Sequence, residues 1–202
     1  LTGGKMKKNR VEAFTDAIVA IILTIMVLEI KVPEGTSEFS ALIEKAPYFI
    51  AFIISFIFIC AAWYHHHYLL AQTKWFSRRA FWANNLWLLT MALIPLSTAW
   101  VSEFPMARAP EYFYFMVYVL WAAAYYLLNW ILYLDNRQFD GAKELSFNTV
   151  HRKIHQFIDI LLLAVGIIGI YFVPIMGLVV ASLQIITWVV SSPADSDKIE
   201  VD

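Results

Sequence analysis

The chain has 202 residues, of which 60% are hydrophobic and 15% charged, with a mean hydropathy of +0.63 and a formal net charge of −1. A soluble domain carries nearer ~25% charged residues, so the composition excludes a water-soluble enzyme and indicates an integral membrane protein. One cysteine, Cys60, inside an apolar run, excludes a disulfide framework.

No cleavable signal-peptide pattern is evident, and Leu1 to Lys5 reads as a remnant ahead of Met6. About 20 apolar residues cross a bilayer as a helix, and six such stretches follow in order. They are Val11–Ile30, Pro47–Leu70, Phe81–Val101, Tyr112–Leu134, Ile154–Phe172 and Ile175–Val190. Pro33 and Gly35 end the first, and Pro47 suits the first turn of the second. Val173-Pro174 is the only break between the last two, which predicts a tight helical hairpin. Residues 1–192 form one six-helix transmembrane domain, and residues 193–202 a polar cytoplasmic tail without a fold of its own. There is no internal repeat of the first helix.

The first stretch organises the rest. From Ala17 to Leu28 it carries a single polar side chain, Thr24, and a polar group of Arg10, Glu12, Thr15 and Asp16 precedes it. At about 100° per residue, Phe14, Ala17, Ile21, Thr24, Ile25 and Leu28 fall on one stripe, with Asp16 roughly opposite. A carboxylate inside an apolar span is costly and calls for a partner.

Charge sets the orientation. The N-terminal segment, the second-to-third and fourth-to-fifth connections and the tail hold twelve of the basic residues. Lys31, Lys45 and Arg108 are the three on the other side. The positive-inside rule then places both termini in the cytoplasm. Topology accounts for these basic loops, so they require no nucleic-acid partner.

That orientation brings Asp16, Trp63, His65, His66, His67, Asn84 and Asn85 to one depth, with His155, Gln156 and Asp159 from the fifth helix. A histidine of the second helix and an asparagine of the third are therefore the expected partners of Asp16. Together they form a polar clamp within one subunit, near the inner membrane surface.

Other features have structural readings. Successive histidines on a helix splay by about 100°, so His65, His66 and His67 read as hydrogen-bonding groups rather than metal ligands. Lys7 and Lys8 read as interfacial anchors, and Glu29 as a side chain snorkelling to the outer interface, with an acidic ring at a pore mouth as the alternative. The aromatic fourth helix reads as a lipid-facing or interfacial wall. Gly166, Gly169 and Gly177 read as sites of close helix approach. No Ser/His/Asp arrangement, Gly-rich phosphate loop, HExxH or TVGYG sequence is present, so neither an enzyme nor a carbonyl-type potassium filter is expected.

Arg10, Phe14, Thr15 and Asp16 read R-x-x-x-F-T-D. This resembles the R-x-x-x-F-S-D signature of the transmembrane protein 175 family of potassium channels, with Thr15 in place of the family serine. Trp63 and His66 resemble the family's second-helix W-x-x-H, and Asn84 and Pro95 its third-helix pattern. The resemblance implies a prokaryotic, single-repeat member in a cell (inner or plasma) membrane. It implies a homotetramer with the first helix lining a central pore for K+, without a bound cofactor or metal. Ile21, Ile25 and Leu28 map onto the family's stacked apolar rings, with Thr24 beside them. The Phe14-Thr15-Asp16 motif is expected to lock onto His66 and Asn84. Closure would come from dewetting and steric contact among apolar side chains.

The function expected is therefore a potassium-permeable cation channel with a hydrophobic constriction. The alternatives are a proton-coupled secondary transporter using Asp16 and His66, and a non-conducting membrane scaffold. The absence of an inverted repeat and of helices broken at mid-membrane weighs against a transporter.

Overall fold

In the computed structural model residues 8–139 and 150–190 are described, with side chains in the second stretch described from residue 157. The architecture is all-α. In chain order the helices are α1 (Lys8–Met26), α2 (Ser40–Ile43), α3 (Ala46–Ala71), α4 (Arg78–Met91), α5 (Ile94–Glu103), α6 (Arg108–Asn136), α7 (Val150–Phe172) and α8 (Met176–Val190). A 3₁₀ turn, Val27–Glu29, prolongs α1 before Ile30 turns extended. Among the described residues four segments are long and apolar enough to cross a membrane: Lys8–Glu29, Ala46–Ala71, Arg78–Glu103 and Arg108–Asn136. Phe157–Phe172 and Met176–Val190 are shorter apolar helices.

The expected stretches fold as helices, with one correction. The stretch expected over Phe81–Val101 is two helices, α4 and α5, parted at Ala92 and Leu93. Pro95 supplies no N–H to the preceding turn and its ring crowds it, so the α-helical ladder is interrupted there. Elsewhere local chemistry sets the ends. Pro47 lies in the first turn of α3. Ser77 caps α4, its hydroxyl oxygen accepting the Ala80 N–H at 3.1 Å. Gly35, at φ 74°, makes the turn after α1 that a side chain would strain. Lys5, Lys7, Lys143, the side chains of Arg152, Lys153, His155 and Gln156, and the tail with Lys198 lie outside the described residues.

The core gathers around α6, which packs against α4, α5, α7 and α8. The aromatic fourth span is therefore not the lipid-facing wall expected. Tyr114, Phe115, Tyr118, Trp121 and Tyr125 are all buried. The Trp121 ring meets Phe58 edge-on at 4.5 Å between centroids and lies 5.2 Å from Trp188. Large flat rings fill the space where helices from several directions meet. Glycines allow the remaining close approaches. A Cβ on Gly166 would collide with the Phe115 ring, and one on Gly177 would stand 2.6 Å from Glu111 Oε2. Glu111 is itself fully buried in the first turn of α6 and accepts the Leu178 N–H at 3.0 Å. A carboxylate thus closes the N-terminus of α8 from a neighbouring helix.

α1 has a different position. It packs chiefly on α3 and α4. Its buried residues, Val11, Thr15, Val19, Ile22 and Met26, form one stripe. The opposite side of the helix is open.

Candidate functional site

Two features of α1 stand out: a polar cross-link on its packed face and an apolar surface on its open face. The cross-link joins three helices. The His66 Nε2–H of α3 donates to Asn84 Oδ1 of α4 at 2.7 Å, and the Asn84 amide donates to Thr15 Oγ1 of α1 at 2.9 Å. All three residues are buried, and the His66 ring stacks on Trp87 at 4.6 Å with an interplanar angle of 5°. Removing one member strands the others away from water, at a cost of roughly 1–3 kcal/mol.

Asp16 does not occupy the place expected of it. It is exposed on the single chain, and its Oδ1 accepts the Trp63 indole N–H at 2.8 Å. The hydroxyl of Thr15 enters the buried cross-link instead. Adjacent helix residues diverge by about 100°, so only one of Thr15 and Asp16 can point between α3 and α4. Thr15 lies on the packed stripe, and Asp16 lies at its edge beside Trp63. The motif residues therefore form two separate polar contacts rather than one clamp on Asp16. An Asp16–His66 proton relay loses the hydrogen bond it requires.

The three histidines splay as helix geometry dictates. His65 Nε2–H donates to the Trp188 carbonyl at 3.0 Å, His66 faces Asn84, and His67 stacks on Trp63 at 5.8 Å. Among the described residues no group of three His, Cys, Asp or Glu side chains could hold a metal ion. Asn85 bonds the Phe81 carbonyl of its own helix, and Asp159 accepts the Tyr126 hydroxyl at 2.7 Å.

The open face carries Phe14, Ala17, Ile21, Thr24, Ile25 and Leu28, with Arg10 exposed at its base. Ile21 is 55% exposed, Ile25 44% and Leu28 76%. The exposed Thr24 hydroxyl donates back to the Ile21 carbonyl at 2.9 Å. Bulky side chains in a row on one helix, turned from their own bundle, are a surface for lipid, another subunit or a pore.

Two contacts at one end of the bundle, around the C-terminus of α3, go beyond the sequence reading. Asn136, at the end of α6, accepts the Lys74 and Trp75 N–H groups at 2.9 and 2.7 Å and donates to the Trp75 and Leu132 carbonyls, both at 2.9 Å. Beside it Asp135 accepts the Ser77 hydroxyl and the Arg79 guanidinium, the latter from Nε at 2.8 Å. Second, the Lys8 ammonium donates to the Leu70 carbonyl at 2.9 Å and the Thr73 carbonyl at 3.4 Å. The sequence signal for Asn136 is a polar residue closing a long apolar span; nothing in the sequence separates Lys8 from its basic neighbours.

Long apolar helices with buried polar cross-links define a multi-pass all-α membrane protein. The family profile described as endosomal/lysosomal potassium channel TMEM175 matches residues 10–95. A potassium channel of Chryseobacterium is 34% identical over 185 residues, covering 92% of this chain and 94% of the relative. A potassium channel of Chamaesiphon minutus is 35% identical over 108 residues, covering 50% of this chain and 53% of its own. The crystal structure of a lysosomal potassium-selective channel TMEM175 homolog from Chamaesiphon minutus superposes with a TM-score of 0.74 at 25% identity, over 93% of this chain and 98% of that one. The chain belongs to the TMEM175 family of potassium channels and is not an enzyme.

Proposed function

We propose that this protein conducts K+ passively across a prokaryotic cell membrane as a homotetramer, with four copies of α1 around a central pore. Residues 1–192 act as one six-helix unit with both termini, and the 193–202 tail, in the cytoplasm. Ile21, Ile25 and Leu28 form stacked apolar rings, Thr24 adds a hydroxyl between them, and the narrowest point is one of the bulky rings. Four branched side chains converging on an axis leave little room for a hydrated ion. Such a pore closes by dewetting and steric contact and opens by tilting or rotating α1. The Thr15–Asn84–His66 cross-link sets the rotation of α1, and the Asp16–Trp63 contact supports it from the side.

The observation that carries this reading is the open face of α1. In a chain 34% identical to a bacterial potassium channel, the helix bearing the family signature turns its packed stripe to α3 and α4. It leaves Ile21, Ile25 and Leu28 uncovered. Purified protein in liposomes with an outward K+ gradient tests it. A channel gives unitary currents that reverse at the potassium equilibrium potential. Flux tied to proton movement would indicate a transporter, and no flux a scaffold. Native mass spectrometry in detergent reads the assembly, and a monomer or dimer as the only species contradicts the tetramer.

A further inference from the structure

Lys8 is the first described residue of α1, and its half-buried side chain reaches the end of a neighbouring helix. It donates to the carbonyls of Leu70 and Thr73, at the C-terminal end of α3, and lies 3.9 Å from the Glu12 carboxylate one turn along its own helix. The last carbonyls of a helix carry the negative end of its dipole, which favours a cation there. Leu70 and Thr73 are both buried. The Thr73 hydroxyl and N–H bond Leu70 O as well, and the next two residues are held by Asn136 of α6. The group that Lys8 grips is thus a fixed post at the end of α3, tied through the following residues to α6.

We infer that Lys8 is a positioning residue for the pore helix: it anchors the base of α1 to the α3 terminus and so fixes the setting of the Ile21, Ile25 and Leu28 rings. Lys8 and Thr15 are seven residues apart, about 10 Å along the helix axis, and Leu28 lies about 20 Å beyond Thr15. A helix held at two points near one end has a defined tilt and rotation. Without the tie at Lys8 the base of α1 is held by the Thr15 and Asp16 contacts and its packed stripe alone, and a small change of tilt there becomes a larger displacement at the rings about 20 Å away. The inference rests on α1 lining the pore.

The experiment compares Lys8→Met, Lys8→Arg and Lys8→Cys in a Cys60→Ala background, in liposomes under a K+ gradient. Lys8→Met changes open probability roughly three- to tenfold with unitary conductance unchanged, and Lys8→Arg, which keeps charge and reach, restores it. Lys8→Cys behaves as Lys8→Met until an aminoethyl thiosulfonate returns an ammonium to the same folded protein, whereupon the wild-type open probability reappears. Ile25→Asn, measured alongside in the native Lys8 background, tests the pore reading separately. Raised leak in Ile25→Asn with unchanged gating in all three Lys8 variants overturns the anchor alone. Normal leak in Ile25→Asn overturns the pore reading and the anchor with it. A Lys8→Met defect that neither arginine nor aminoethylation reverses also overturns it.

Discussion

The Asn84 carboxamide donates to the Thr15 hydroxyl at 2.9 Å while its carbonyl takes the His66 N–H at 2.7 Å. One asparagine thus joins the helix with the family signature to both of its main neighbours. Asn84→Leu leaves the His66 and Thr15 polar groups buried and unpaired, and lowers stability by roughly 2–4 kcal/mol. Thr15→Val costs about 1–2 kcal/mol. Thr15→Ser keeps the hydroxyl and stays within about 1 kcal/mol of wild type. Thermal unfolding in detergent checks the order. A Thr15→Val protein as stable as Thr15→Ser would remove the cross-link from the account.

Asn136 makes four hydrogen bonds, three of them to the loop between α3 and α4. Asn136→Asp retains an acceptor for the two N–H groups but loses both donors; Asn136→Ala loses everything. The predicted stability order is wild type, then Asp, then Ala, with Asn136→Ala lower by roughly 2–4 kcal/mol. Amide hydrogen exchange at Lys74 and Trp75 reads the loop directly. Undiminished protection there in Asn136→Ala would contradict the assignment.

Gly177 lets the first turn of α8 approach Glu111. An alanine Cβ would lie 2.6 Å from Glu111 Oε2 and 3.0 Å from Ile170 Cδ1. Gly177→Ala is predicted to cost about 1–3 kcal/mol, and Glu111→Ala to relieve part of that cost in the double variant. The two effects being additive within error would show that the side chains do not meet.

Much of the fold was legible because length and hydropathy decide where a helix can be. Each stretch between Val11 and Val190 that reads as apolar is helical, and Pro47 and Gly35 mark boundaries by their own chemistry. Pro95 also carried the signal for the break between α4 and α5, but an apolar run hides such an interruption. The burial of the aromatic residues of α6 is not legible in the sequence. Tyr114, Tyr118, Trp121 and Tyr125 recur at helical spacing, which fits a buried stripe as well as a lipid wall, and composition does not separate the two.

At the site, depth alone brought Asn84 and a histidine beside the start of α1, but depth has no angular resolution. A charged residue in an apolar span drew attention to Asp16, whereas the rotation of α1 gives the buried place to Thr15. Lys8 was illegible for a related reason. A basic residue at a helix start looks the same whether its ammonium meets water or the carbonyls of another helix.

The measurement that tests the central claim most directly is thiol block of current at single cysteines on α1, in a Cys60→Ala background. Thr24→Cys and Leu28→Cys lie on the open face, and Ile22→Cys lies on the packed stripe. With α1 lining the pore, a thiol reagent carried in the bathing solution abolishes K+ current in Thr24→Cys and Leu28→Cys and leaves Ile22→Cys conducting. Full current after complete labelling of Thr24→Cys and Leu28→Cys would mean that this face does not line the conduction path.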